Sequence, residues 1–275
     1  MALQKRKKKA ISKKITKKKD SIKKKATKKK SRIASIKRIT KANPAKKNFL
    51  TSGSKSLDRL LGKGIIEGTS VLILGTPHSG KKPILMKMIK DNCCELGISP
   101  IIILTDLGVS NWISMAEKNN WSCNKKTCDI FYVDSYSQQF NVCTASQNIK
   151  CLEVPFTLSS LSIAVSEYLD KVRKEGKKPL VVLHSISTLI ETFGANEVFS
   201  FLQFFLGKLR NEGVTIVSTM QLGVHGENLE TAISSLNECV IKLKDNKLSA
   251  SGYITIRDNN WHSYKFVKNQ LVLTD

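Results

Sequence analysis

From residue 49 onward the chain alternates short apolar runs with longer stretches whose apolar residues recur every three or four positions. The runs at 70–74 (SVLIL), 101–105 (IIILT), 130–134 (IFYVD), 180–183 (LVVL) and 214–219 (VTIVST) are short and rich in β-branched residues. Near-continuous apolar strands of this kind are buried on both faces, the condition of a parallel sheet. Helical periodicity occupies 82–96, 111–119, 158–175 and 196–211; in the third of these, Leu161, Val165, Tyr168, Leu169 and Val172 share one side. Ahead of the first strand, Leu57, Leu60 and Leu61 form one helical face, Gly62 and Gly64 end that helix, and Glu67-Gly68 turns into the strand. A Cys-, Asn- and Gln-rich stretch over 137–151 reads as an insertion. From 239 to 273 the pattern is one of strands with turns at Asp245-Asn246 and Asp258-Asn259-Asn260. The expectation is an α/β fold: a mostly parallel sheet, helices on both faces, and a C-terminal antiparallel extension.

Residues 1–48 follow a different pattern, and here charge changes the picture. They hold 22 of the 46 Lys and Arg residues and one acid, Asp20, so most of the formal net charge of +24 sits in this segment. The division is a Lys-rich tail over 1–48, expected to be disordered in isolation, and a nearly neutral globular domain over 49–275. The tail reads as three eleven-residue copies, starting at Ile11, Ile22 and Ile33. Ile11, Ile15, Ile22, Ala26, Ile33 and Ile36 fall in one narrow helical stripe, because an eleven-residue period barely drifts on an α-helix. Lysine repulsion melts such a helix in free solution and a polyanion lets it form; the alternative is a repeat with no fixed shape. Lysine without aromatic residues or abundant Arg reads charge rather than sequence, which favours non-specific nucleic acid as the partner. A membrane surface is disfavoured, because the stripe carries no Trp, Phe or Leu.

The first strand leads into Gly75-Thr-Pro-His-Ser-Gly-Lys-Lys82, and a helix follows. This matches the phosphate-loop pattern G-x-x-x-x-G-K-[ST] except at its last position. Gly75 and Gly80 permit the tight turn through Thr76, Pro77, His78 and Ser79, the helix start favours anions, and Lys81 reaches the terminal phosphates. The eighth position normally offers a hydroxyl to Mg²⁺; Lys82 offers an ammonium, which repels a cation. The second magnesium position ends a later buried strand, and after LVVL it is His184 where Asp is expected. Mg²⁺ prefers oxygen donors, so both changes point the same way.

These residues, with Ser52-Gly-Ser-Lys-Ser-Leu-Asp-Arg-Leu-Leu-Gly-Lys-Gly-Ile-Ile66 before the loop, resemble the opening of KaiC-like domains of the RecA superfamily, archaeal in character. The resemblance continues through Pro155–Leu161, the altered strand ending at His184, 212–219, and the closing strands around 254–267, and it excludes the tail. It implies a RecA-like P-loop domain that binds ATP or ADP and assembles into homo- or hetero-oligomers. In that family acids after the second strand serve hydrolysis; here the matching positions are Thr105 and Asp106, so only Asp106 survives as a candidate catalytic acid. Gln221, after the strand ending at Thr219, matches a γ-phosphate sensor or is a solvated strand-end residue. Lys82 either neutralises phosphates in place of the metal or fills the pocket. The expected cofactor is therefore ATP or ADP without tightly held Mg²⁺, at a site with no metal ligand set.

Three readings follow: a non-hydrolysing regulator or scaffold attached to nucleic acid by its tail, an active ATPase using Asp106, or a non-catalytic subunit of a hetero-oligomeric ring. No apolar h-region follows the N-terminal charges, so the expected location is cytoplasmic and nucleoid-associated. A reducing location leaves the seven cysteines mainly as thiols. Cys93-Cys94 reads as helix packing, since adjacent helical residues point apart. Cys123-x₄-Cys128 and Cys143-x₇-Cys151 form a weak match to a zinc site.

Overall fold

The computed structural model describes residues 48–123, 128–140, 149–256 and 258–274. The eleven-residue repeats and Cys143 lie outside the described residues.

Two short strands open the domain, β1 (Phe49–Leu50) and β2 (Ile65–Ile66), paired antiparallel around helix α1 (Lys55–Leu60). Ser54 caps α1, its Oγ accepting from the Leu57 N–H, which satisfies one of the donors a helix start leaves open. Asp58 on α1 accepts from the Ser52 N–H and the Thr51 hydroxyl, tying the entry segment to the helix.

The main sheet uses β3 (Ser70–Gly75), β4 (Ser99–Leu104), β5 (Phe131–Asp134), β6 (Lys150–Glu153), β7 (Pro179–His184), β8 (Thr215–Gln221), β9 (Cys239–Lys244), β10 (Lys247–Ser251), β11 (His262–Val267) and β12 (Gln270–Leu273). Their spatial order is β12-β11-β10-β9-β3-β8-β7-β4-β5-β6. The run from β9 to β6 is parallel throughout, and β10, β11 and β12 continue it antiparallel. The expected fold class is therefore observed.

Six further α-helices lie among the described residues: α2 (Lys81–Leu96), α3 (Val109–Lys118), α4 (Leu158–Lys174), α5 (Ile186–Phe193), α6 (Ala195–Asn211) and α7 (Glu227–Ser235). The two-residue period of the strands divides the core. Val71, Ile73, Ile102, Leu104 and Val182 pack with α1, α2 and α3 on one face. Leu72, Leu74, Ile101, Ile103, Val181 and Leu183 pack with α4, α5, α6 and α7 on the other. Both faces of the central strands are buried, which is why their runs are continuously apolar.

Three elements depart from the expectations. Helix α5 follows β7 after a single residue, and its eight residues, ISTLIETF, are too few to show more than about two turns of helical period. Helix α7 is short and mostly polar. Strand β6 begins at the end of the expected insertion and runs past it; it is an edge strand with no fully buried residue, so it lacks the apolar run that marks the others. The turn at Asp245-Asn246 is as expected: both residues have positive φ, the geometry of a two-residue hairpin between β9 and β10. Lys268 and Asn269 make an equivalent turn between β11 and β12.

The cysteines also differ from the expectation of thiols. Cys93 is bonded to Cys128 and Cys94 to Cys123, with Cα separations of 5.4 and 6.1 Å. Adjacent helical residues do point about 100° apart, but the segment after α3 passes across the end of α2 and meets both. It is held there by the Trp121 N–H to the Ala116 carbonyl and by Lys90 Nζ to the Asn120 carbonyl. Cys151 lies on β6, outside both pairs, and Cys239 is buried in β9, where burial pushes its thiol up to about 12.

Candidate functional site

The carboxyl ends of β3, β4, β7 and β8 lie side by side, with Gly75 opposite Gln221 and Leu104 opposite His184. Ligands of open α/β sheets bind at this edge. A cavity of about 570 Å³ opens here, lined by Pro77–Pro83, Asp106, Met115, His184, Ser185, Met220 and Gln221. Of the sequence candidates, the structure places Pro77–Lys82, Asp106, His184 and Gln221 around this cavity, and Gly75 and Thr76 lead into it from β3.

The loop is shaped by its backbone. The Thr76 N–H donates to the Leu243 carbonyl and the Ser79 N–H to the Thr76 carbonyl, closing a tight turn. His78 takes positive φ, and Gly80, at φ 86°, begins α2 with no side-chain cap. The first N–H groups of α2 therefore face the cavity end without intrahelical partners. A Cβ at Gly80 would push on the Phe266 ring, and its φ of 86° already favours glycine there. Lys81 folds back over the loop, its Nζ donating to the Gly75 and Thr76 carbonyls at 2.5 and 2.8 Å. Burial, and next the charge of Lys82, lower its pKa to about 8. The Ser79 hydroxyl is buried and has no protein partner among the described residues.

At the metal end of the site, three side chains meet at one oxygen. Lys82 Nζ and His184 Nε2 each stand 3.3 Å from Asp106 Oδ2. The His184 Nε2 approach is close but lacks the alignment of a good hydrogen bond. The imidazole is buried, its Nδ1 is 2.6 Å from Thr219 Oγ1, and its ring lies 5.5 Å from that of Trp112. Burial raises the Asp106 carboxyl, but the His184 contact and the Lys82 charge outweigh it and hold the group below the usual carboxylate range. Asp106 Oδ1 is buried with no protein partner among the described residues. Mg²⁺ does not fit this donor set. An ammonium cannot ligate it, a neutral imidazole is a poor ligand for it, and the one carboxylate is already compensated. Of the two expectations for Lys82, the ammonium pairs with Asp106 at the rim, its side chain 38% exposed, and leaves the cavity open.

Thr105 has a role that its residue type alone did not reveal. It is fully buried, and its hydroxyl donates to the Ser185 carbonyl at 3.0 Å and accepts from the Ser185 N–H at 2.8 Å. A carboxylate at this position would accept from the N–H and repel the carbonyl. Thr105 thereby fixes the backbone just after His184, where the His184–Ser185 peptide is cis and Ser185 caps α5. Gln221 lines the cavity, with its N–H donating to the Ser187 hydroxyl at 2.8 Å.

The antiparallel extension contributes residues that sequence reasoning missed. Tyr264 and Phe266 on β11 share one strand face and meet the phosphate loop. The Tyr264 hydroxyl donates to the Ser79 carbonyl at 2.6 Å, and the Phe266 ring covers Gly80. The only signal was the alternation Tyr264, Phe266 itself, which gives a face but not what the face meets.

Two outcomes are expected. Thr105→Val should destabilise the fold by about 1–3 kcal/mol, because it strands a buried N–H and a buried carbonyl. Thr105→Ser should stay near wild type, and denaturant titration of both variants checks this. Below pH about 8 the Lys81 ammonium is present to attract phosphate, and it is lost as pH rises through that value. Tripolyphosphate affinity should therefore fall as pH rises from about 7 to about 9, whereas a Lys81→Arg protein, whose guanidinium stays charged, should show a flatter profile. Calorimetric titrations at several pH values measure it, and equal slopes would rule the account out.

Comparison with known proteins agrees with this geometry. None of the curated proteins matches the chain in sequence. Among solved structures, a KaiC-like protein from the hyperthermophilic archaeon Pyrococcus horikoshii OT3 superposes with a TM-score of 0.64 at 16% identity, over 83% of this chain and 100% of that one. At that identity the match speaks for the fold alone. The family model for the KaiC ATPase matches residues 50–258, about three quarters of the chain. With the phosphate loop at the sheet edge and the parallel sheet extended antiparallel at its C-terminal end, the chain belongs to the KaiC family of RecA-like P-loop domains.

Proposed function

We propose that this KaiC-family domain binds ATP or ADP without a tightly held Mg²⁺ and does not hydrolyse it. It acts as a nucleotide-responsive regulator or scaffold. The observation that carries this reading is the convergence of Lys82 and His184 on Asp106 Oδ2. Two groups that favour anions stand where the family's magnesium would be coordinated, and the only carboxylate of the site is engaged by both. A carboxylate held ionised by a lysine ammonium and an imidazole contact is a weak proton acceptor for an attacking water. Phosphate binding is supported by the open cavity, the unpartnered start of α2, the buried Ser79 hydroxyl and Lys81. Lys82 then supplies part of the countercharge that a metal would otherwise provide. Gln221 stands at the cavity wall where it can contact a terminal phosphate.

We further propose that residues 1–48 attach the domain to nucleic acid without sequence preference. The support is their charge: 22 basic residues against a single acid. Each lysine that meets a phosphate releases condensed counterions. Assembly of the domain into oligomers, as KaiC-like domains commonly do, would multiply that attachment through many tails. Among the described residues no helix is long and apolar enough to cross a membrane. A place on the nucleoid follows from the tail reading alone.

The full-length protein should bind ATP with affinity changed less than about threefold between excess Mg²⁺ and EDTA, and should release no phosphate above background. Steep Mg²⁺ dependence, or turnover by the purified protein that Asp106→Asn abolishes, would instead establish an active ATPase. For the tail, duplex DNA affinity should fall steeply with salt, by a factor of about 10³ or more between 50 and 200 mM. Removal of residues 1–48 should erase that slope; unchanged binding would rule out the tail as the anchor.

A further inference from the structure

The two disulfide pairs are not separate staples. Cys93 and Cys94 come from consecutive positions near the end of α2, and Cys123 and Cys128 from the segment between α3 and β5. The sulfurs of Cys93, Cys123 and Cys128 all lie within 4.8 Å of one another, and the fourth, Cys94, is in direct contact with Cys123. Three of the four sulfurs therefore cluster between one helix and one loop, and the fourth is bonded to one of them.

We propose that in the reduced chain Cys93, Cys94, Cys123 and Cys128 hold one zinc ion. A tetrahedral tetrathiolate site has Zn–S bonds of about 2.3 Å, which places its sulfurs under about 4 Å apart. Three of the sulfurs already lie within 4.8 Å of one another, and the proposal requires Cys94 to turn toward them when the disulfides are reduced. The Cys123-x₄-Cys128 spacing is within the range of a structural zinc loop, so one arm of the site matches in sequence and the other is built by the helix.

The donor set is selective. Four soft thiolates favour Zn²⁺ over the hard cations that carboxylates attract. The adjacent carboxylate, Asp129, is engaged by Lys150 and Lys177 and does not join the set. Cys93 is buried while Cys94, Cys123 and Cys128 are partly exposed, giving an entry path from the surface and an anchored base. A cavity of about 270 Å³ bordered by Trp112, Trp121 and Tyr132 adjoins Cys123 and Cys128. Binding releases the thiol protons and ties the loop to the helix that starts at the phosphate loop. The site stands independently of the nucleotide reading.

The test uses the full chain, purified under a phosphine reductant without chelator and dialysed against micromolar zinc. One zinc per chain by elemental mass spectrometry is expected, with release on addition of a mercurial that titrates the thiols. Replacement by Co²⁺ should give intense tetrahedral d–d bands and thiolate charge-transfer bands, a signature that needs no variant. Cys151→Ser should keep both. Cys94→Ser and Cys123→Ser should each weaken zinc affinity more than about 100-fold, beyond what loss of an outer partner produces. A reduced, folded wild-type chain that takes up no zinc, or whose cobalt spectrum is weak and octahedral, would overturn the proposal. So would undiminished zinc in folded Cys94→Ser and Cys123→Ser proteins.

Discussion

Strand β3 is clamped between β8 and β9, parallel to both and buried on both faces, and the register of that pairing sets where every candidate residue stands. Gly75 ends level with Gln221 on one side and Leu243 on the other. The neighbouring pair β4 and β7 ends level at Leu104 and His184. A slip of one residue would turn the loop, Asp106 and His184 to different heights and exchange the two core faces. The tight apolar packing of Leu72 and Leu74 against one helical layer, and of Val71 and Ile73 against the other, makes such a slip prohibitive. The site inherits its precision from the core beneath it.

On that platform the altered residues form one electrostatic unit. A P-loop domain that handles Mg·ATP needs oxygen donors beside the β- and γ-phosphates. Here an ammonium and an imidazole meet the remaining carboxylate, and Thr219 holds the imidazole from its other side. Thr105 secures the backbone immediately beyond His184. Lys82, Thr105 and His184 are thus mutually compatible: each side chain has a partner in this arrangement, and none is left as an isolated buried charge, which would be far more destabilising.

The sheet, its parallel core and most of its helices were legible in the sequence because a buried parallel strand writes itself as a short apolar run and an amphipathic helix as a period of 3.6. Helix α5, α7 and strand β6 escaped for the converse reason. One spans only about two turns, one is mostly polar, and one is an edge strand with no fully buried residue. The phosphate loop was legible residue by residue, since its glycines and lysine are fixed by local backbone chemistry. The salt bridge between Lys82 and Asp106 was not, because it joins residues from two separate β–α turns. Nor were Tyr264 and Phe266, which reach the loop from the far end of the chain.

Local chemistry therefore determined the class of fold, the position of the phosphate loop, the departure from magnesium-binding residue types and the division of charge between tail and domain. Each of these depends on neighbours in sequence: turn geometry, periodicity and composition. Only the tertiary structure decided what the departures do. It alone placed His184 against Thr219, gave Thr105 its backbone partner, and gathered Cys93, Cys123 and Cys128 into one cluster. Those contacts join residues about 30 to 80 positions apart, and their energy depends on distance and burial that only packing supplies.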